Sequence, residues 1–182
     1  MKKLLLVAML ISPFLAKAQS DLFDYKTEEK YLYYGNVVQV DTTLSASDLY
    51  QNAKLFVHKL SLANTKMTSD DKSEGIVALD VEEKGSFKTQ TGIGSEPMTL
   101  KYSIKLEVKK GRYRYTFDNI VISFIEKDDK SVPHTLYDLD KDRDGGLLKI
   151  GRSKRVLKAM DAMFDSKIAL LTNTMSKRSS DF

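Results

Sequence analysis

The chain has 182 residues, with 29 lysines and arginines against 25 aspartates and glutamates, a net charge of +4, and no cysteine. Without cysteine the chain has no disulfide bonds, and an exported form cannot be a lipoprotein, whose lipid attaches to a cysteine. The length is suitable for one domain that buries a sizeable core.

The first 18 residues have the pattern of a secretory signal peptide. Two lysines at positions 2 and 3 are followed by the apolar run Leu4–Leu15 and by the small residues Ala16 and Ala18. The apolar run is about twelve residues long, which is too short for the roughly 20 that cross a bilayer. We therefore expect cleavage after Ala18 and a periplasmic or extracellular protein with no membrane span in the mature chain.

The positive charge belongs largely to that leader. Residues 1–18 carry three of the 29 basic residues and no acidic one, so residues 19–182 have 26 basic against 25 acidic side chains. A nucleic-acid partner needs a clustered basic excess, so the near-zero charge argues against such a partner. We expect one domain over residues 19–176 and a short disordered tail at residues 177–182.

The first half of the domain combines strand and helix signals. Ser45 and Asp48 resemble a capping box, and apolar residues at helical spacing then predict a helix that ends at about Leu60. The cluster at residues 70–75 is typical of a turn. Three strands are predicted in this part, at Tyr31–Val40, Lys66–Ser69 and Ile76–Phe87.

The segment Thr99–Ile125 predicts two long strands joined by a turn at Lys109–Arg112. Apolar and polar residues alternate strictly along the first strand, which indicates an antiparallel strand with one wet face. In the second strand the apolar residues change parity, so one face can stay apolar only if a residue is inserted near Asp118-Asn119. We therefore predict a β-bulge there. The apolar residues before and after the change are Tyr113, Tyr115, Phe117 and Ile120, Ile122, Phe124.

The C-terminal part is predicted as a polar loop at Asp128–Gly151 and a helix from Ser153 to Ser176. The helix has one apolar stripe, formed by Leu157, Met160, Phe164, Ile168, Leu171 and Met175. The whole order is strand, helix, four strands, helix. It predicts an α+β fold with a twisted antiparallel sheet and both helices on one face.

Three segments resemble a known family. They have the sequences GNVVQVD at residues 35–41, LYQNAK at residues 49–54 and VKKGRYRYT at residues 108–116. They are similar to exported Bacteroidetes proteins that share a domain of unknown function with a TATA-binding-protein-like fold, over roughly Tyr34–Ile122. The resemblance implies this fold and an envelope location, and it implies no activity.

One loop resembles a calcium site. Asp140, Asp142 and Asp144, followed by Gly145, match positions 1, 3, 5 and 6 of a calcium-binding loop. Position 12 should be a bidentate glutamate, but it is Gly151 here. The sequence therefore favours a solvated loop of mixed charge and leaves a calcium ion as the alternative, with no other cofactor indicated.

The hairpin turn has a superficial likeness to the RNA-recognition signature. In KGRYRYTF at residues 110–117, arginines stand where that signature requires stacking aromatics. We expect the aromatics to face the helices and the arginines to face solvent, beside two lysines of the preceding strand. This solvent-facing side is our predicted binding surface. Its basic residues are Lys101, Lys105, Arg112 and Arg114.

No catalytic nucleophile and base can be paired from the sequence, so we expect no enzyme. The favoured hypothesis is a non-enzymatic binding or interaction domain of the bacterial cell envelope, with an envelope protein as partner. The alternative is a carrier of a small apolar ligand between the C-terminal helix and the sheet, lined by Met160, Met163 and Phe164. A third hypothesis, an envelope hydrolase, predicts clustered polar groups with perturbed pKa values in a cleft.

Overall fold

The computed structural model describes residues 33–60, 64–88, 95–125, 131–135, 138 and 147–177. These residues form an antiparallel sheet of six strands and two helices, so the predicted α+β class is confirmed. The predicted leader at residues 1–18 and most of the predicted tail lie outside the described residues. The elements are β1 (Tyr34–Gln39), α1 (Ala46–Leu60), β2 (Asn64–Asp71), β3 (Ile76–Lys88), β4 (Ser95–Lys109), β5 (Arg112–Ile125), β6 (Ser131–Thr135) and α2 (Leu147–Met175).

The strand order is β1-β5-β4-β3-β2, and β6 also pairs with β5. Strand β1 pairs with residues 112–117 of β5, and β6 pairs with residues 121–125 of the same strand. The two short strands therefore cover successive parts of one edge of β5. This arrangement makes β5 an interior strand along most of its length.

Strand β6 and the first turns of α2 lie inside Asp128–Gly151, so the prediction of one long polar loop there was wrong. The β6 sequence, SVPHT, has no apolar alternation and contains Pro133, which is found mainly on edge strands. It becomes a strand because β1 ends and leaves the rest of β5 unpaired. The helix begins at Leu147 and not at Ser153, although Gly151 is a poor helix former.

The inward side of the sheet follows the predicted alternation. In β4 and β5 the residues predicted to be apolar and inward-facing are all buried, and so are Val77, Leu79 and Val81 of β3. The parity change in β5 is a β-bulge, as predicted. Lys101 and Ser103 of β4 pair with Val121 and Asp118, so β5 has one extra residue between them. Asn119 takes up this residue with a φ of 53°, a conformation that asparagine tolerates better than most residues.

Both helices pack on this inward face. The predicted capping box begins α1: the Ser45 backbone N–H donates to Asp48 Oδ2 at 3.0 Å, and the Asp48 N–H donates to Ser45 Oγ at 3.1 Å. All six residues of the predicted stripe on α2 are buried. In addition, the Tyr34 hydroxyl donates to Asp161 Oδ1 at 2.7 Å and ties β1 to α2. No helix in the described part of the chain packs on the opposite face of the sheet.

Gly75, at the end of the β2–β3 turn, is expected to be less replaceable than Gly111 in the β4–β5 turn. Both have a left-handed backbone, with φ of 68° and 71°, which costs other residues about 1–2 kcal/mol. A Cβ at Gly75 would lie 2.6 Å from the Val108 carbonyl oxygen, whereas a Cβ at Gly111 would lie 3.4 Å from Thr42. Urea unfolding should therefore show a larger loss of stability for Gly75→Ala than for Gly111→Ala. Equal losses would contradict the close approach at Val108.

Candidate functional site

The candidate site is the face of the sheet opposite the helices, here called the open face. It is formed by the residues that alternate with the buried ones in β3, β4 and β5, together with parts of β1 and β2. The structure places all four predicted basic residues on this face, each with an exposed side chain. These residues are Lys101, Lys105, Arg112 and Arg114.

Ion pairs show that the open face is mixed in charge. Lys105 Nζ lies 3.2 Å from Glu107 Oε1, and Arg114 Nη1 lies 3.6 Å from Glu107 Oε2. Lys101 Nζ lies 3.2 Å from Glu82 Oε2. Arg112 forms no ion pair with any residue that the structure describes. The alternation in the sequence predicts Glu107 on this face beside the basic side chains, but it does not predict these ion pairs.

A depression of about 590 Å³ lies on the open face beside the bulge of β5. One cross-strand row runs through it, in which Lys66, Asp80 and Ser103 of three adjacent strands are paired in turn. Asp118 of β5 pairs with Ser103 and continues this row beside the depression. The depression therefore combines both signs of charge with hydroxyl and amide groups. The depression is lined by Asn64, Thr65, Lys66, Asp80, Val81, Glu82, Lys101, Tyr102, Ser103 and Asn119.

Hydrogen bonds hold the side chains of this row in place. The Ser103 hydroxyl donates to Asp80 Oδ1 at 2.8 Å. The Asn119 amide donates to Ser103 Oγ at 3.2 Å and to Asp118 Oδ1 at 3.3 Å. Burial and the nearby Asp80 carboxylate raise the pKa of Asp118, and Lys105 opposes this shift in part. The negative charge around Asp118 is thus only partly balanced by the nearby Lys105.

The segment that forms this face is similar in sequence to a known protein family. Residues 34–123 match the model of a family described as a domain of unknown function (DUF4468) with a TBP-like fold. Over this segment the chain belongs to the DUF4468 family. All residues that line the depression lie within the DUF4468 segment. The resemblance inferred from the three short motifs is confirmed.

Two solved structures share the fold. One is a DUF4468 family protein from Bacteroides ovatus, with a TM-score of 0.57 and 14% identity, covering 82% of this chain and 91% of that one. The other is a TBP-like protein from Parabacteroides distasonis, with a TM-score of 0.58 and 13% identity, covering 80% of this chain and 96% of that one. No protein with a curated description matches the sequence. At these identities the likeness shows the fold alone.

The raised pKa of Asp118 in the DUF4468 segment predicts a pH-dependent effect of Asp118→Asn. Because the folded pKa exceeds the unfolded one, the ionised carboxylate lowers stability above the folded pKa. This cost is relieved as the pH falls through the folded pKa and is gone below the unfolded value, where both states are protonated. Urea unfolding at high salt should therefore show Asp118→Asn to be stabilising at neutral pH and near neutral in effect at about pH 3. A destabilising effect at neutral pH would contradict this prediction.

The predicted calcium ligands Asp140, Asp142 and Asp144 lie outside the described residues. Asp138, just before them, is described, and its Oδ2 accepts hydrogen bonds from the Thr135 N–H at 2.9 Å and the Thr135 hydroxyl at 2.7 Å. Thr135 and Asp138 are therefore hydrogen-bonded to each other in the manner of a capping box, with Thr135 in the cap position. Over the described ranges, no three His, Asp or Glu side chains lie together in a way that could hold a metal ion.

The three residues predicted to line a carrier cavity lie between α2 and the sheet. Met160 and Phe164 are fully buried, and Met163 is half-buried. The Phe164 ring stacks on Tyr34 with centroids 4.5 Å apart and meets Tyr102 and Phe117 edge-on at 5.3 and 5.5 Å. Protein side chains fill this part of the interface, which argues against a ligand there. Neither helix in the described part of the chain is long and apolar enough to cross a membrane.

Proposed function

We propose that the chain is an exported, non-enzymatic interaction domain of the bacterial cell envelope that binds its partner through the open face. The leader pattern at residues 1–18 supports export, and the two structures that share the fold come from bacteria. The observation that carries the proposal is the contrast between the two faces of the sheet. The helices fill one face, while no described element covers the polar depression on the other.

The chemistry of the depression supports binding over catalysis. Its serine, Ser103, donates to the exposed carboxylate of Asp80 and accepts from Asn119. No histidine is among the lining residues. A row of fixed donors and acceptors is suited to recognising a polar partner, because specificity comes from matched hydrogen bonds and charges.

Charge reversal tests the proposal. A variant with Lys101, Lys105, Arg112 and Arg114 changed to glutamate should lose its partners in pull-downs from envelope extract of the source bacterium. A control with the same charge change carries glutamate at exposed lysines of the helices and the β2–β3 turn, and it should keep those partners. Circular dichroism should show both variants folded. The control lysines are Lys59, Lys72, Lys154 and Lys158.

A photo-crosslinking residue gives an independent readout in cells. Placed at Thr116 on the open face, it should yield adducts that the same residue at Lys158 on α2 does not. Retention of all partners by the charge-reversed variant, or adducts formed from Lys158 alone, would show that the open face is not the binding surface.

A further inference from the structure

We propose that a second copy of this chain binds the open face, so that two sheets pack face to face about a two-fold axis. The inference rests on the proposed function, because it names the partner of that same surface. It is carried by a self-complementary pattern of charged and small residues across β1, β3, β4 and β5.

The pattern is read from cross-strand rows, numbered from the β4–β5 turn. Row 1 is Lys109, Arg112 and Gln39; row 2 is Asp71, Ile76, Glu107, Arg114 and Val37; row 3 is Ser69, Ala78, Lys105, Thr116 and Gly35; row 4 is Lys66, Asp80, Ser103 and Asp118. Consecutive rows are roughly 7 Å apart, because two residues of a strand separate them. Each row therefore has a fixed height along the strands.

We place the two-fold axis parallel to the open face, perpendicular to the strands, and at a height midway between rows 2 and 3. Rotation by 180° about this axis lays each strand over the same strand of the partner, running in the opposite direction. Row 1 then lies over the partner's row 4, and row 2 lies over the partner's row 3. Arg112 faces the partner's Asp118, and Glu107 faces the partner's Lys105. By symmetry, each of these opposite-charge pairs occurs twice.

The middle of this interface combines charged side chains with small and apolar ones. Ile76 lies over the partner's Ala78, and Val37 lies over the partner's Gly35, where the ring of the partner's Tyr33 fills the space that a Cβ would take. Val37 is 44% exposed and is one of two large apolar side chains that are exposed in the described part of the chain. Covering it would remove apolar surface from water.

The two residues at the ends of the interface are not fully balanced in charge by their own chain. Arg112 is exposed and forms no ion pair with a described residue, and the Asp118 carboxylate lies in the field of Asp80 with only partial compensation from Lys105. The guanidinium of Arg112 would enter the region beside the depression, where Asp80 and Ser103 offer further acceptors. In the dimer, Arg112 and Asp118 would therefore each lie opposite a residue of opposite charge.

The alternative two-fold arrangement is opposed by charge. With the axis parallel to the strands along β4, Asp118 would face the partner's Asp80. Each charged residue of β4 would face its own copy: Lys101, Lys105, Glu107 and Lys109. Like charges placed opposite one another disfavour this packing, so the charge pattern selects the perpendicular axis.

The expected dimer is weak and sensitive to salt. The seventeen residues in the four rows, each occupying about 4.8 Å by 7 Å, give roughly 570 Å² per copy, just below the ~600–1,000 Å² per partner of specific interfaces. Because much of the contact is between charged groups, salt should weaken it. Sedimentation equilibrium of the mature chain should therefore show dimer at low salt and monomer at high salt.

The deciding experiment mixes two variants. R112E and D118K should each weaken the dimer by roughly tenfold or more, because each opposes two like charges across the interface. An equimolar mixture should restore it, since the new glutamate of one chain faces the new lysine of the other. K158E, on the outer side of α2, should leave the dimer unchanged.

The outcomes separate this inference from the proposed function. A monomer at all accessible concentrations, or a mixture that associates no better than either variant alone, overturns the second copy as partner. If the four-residue charge reversal still abolishes capture of an envelope protein, the open face remains the binding surface and its partner is a different chain. If capture also persists, both proposals are wrong.

Discussion

Phe164→Ala is expected to lower the free energy of unfolding by about 3–5 kcal/mol, the range for truncating a large aromatic in a core. Phe164 is fully buried, and its ring contacts those of Tyr34, Tyr102 and Phe117. The substitution removes contacts that join α2 to β1, β4 and β5 and leaves a cavity between close-packed rings. Urea denaturation followed by circular dichroism measures the loss.

Two further variants make the result interpretable. Lys158→Ala changes an exposed residue of the same helix and should alter stability by less than about 0.5 kcal/mol. Phe164→Leu keeps most of the apolar volume and should cost less than alanine. A loss below about 1 kcal/mol for Phe164→Ala would mean that the space between α2 and the sheet is not close-packed. It would also revive the carrier hypothesis.

The inward face could be predicted from the sequence because it depends on local periodicity alone. The alternation in β4 fixes which side chains point to the helices, and the parity change in β5 requires a bulge whatever the neighbouring strands are. The apolar stripe of α2 is long enough to specify its buried face. These features need no knowledge of which strands pair.

The open face could be predicted only in part, because its character depends on strand register. The positions of Lys105 and Arg114 follow from alternation. Their ion pairs with Glu107 depend in addition on side-chain geometry along β4 and on the register that places Arg114 of β5 opposite Glu107. Asp80 and Asp118 are 38 positions apart in sequence and share a row only because β4 lies between them. The bulge predicted at Asp118-Asn119 was the sequence signal for this row. It located the row in β5 but did not show which residues of the other strands lie beside it.

Strand β6 is an element that local sequence patterns did not predict. Its five residues carry no strand signal, and they pair with β5 because β1 is too short to cover that strand. Edge pairing of this kind is decided by which backbone groups remain unpaired elsewhere. A polar composition therefore does not exclude a strand.

A polar cluster within the core is expected to show strong non-additivity. The Tyr102 hydroxyl donates to Glu83 Oε1 at 2.6 Å, and Lys167 Nζ lies 2.6 Å from the same oxygen. The Lys167 and Glu83 side chains are only 13% and 17% exposed. Burial and the bond to Glu83 raise the pKa of Tyr102, so this hydroxyl stays protonated and continues to donate. The cluster links α2 to β3 and β4.

Glu83→Leu alone should lower the free energy of unfolding by about 3 kcal/mol, because it leaves the Lys167 ammonium largely buried without its carboxylate. The triple variant Glu83→Leu, Lys167→Met, Tyr102→Phe should lose much less, because no buried polar group is then left unpaired. Urea unfolding of the single and triple variants measures the difference. Losses that simply add would show that the three side chains act independently. A smaller loss in the triple variant means that the cluster adds little net stability, although removing one of its members is costly.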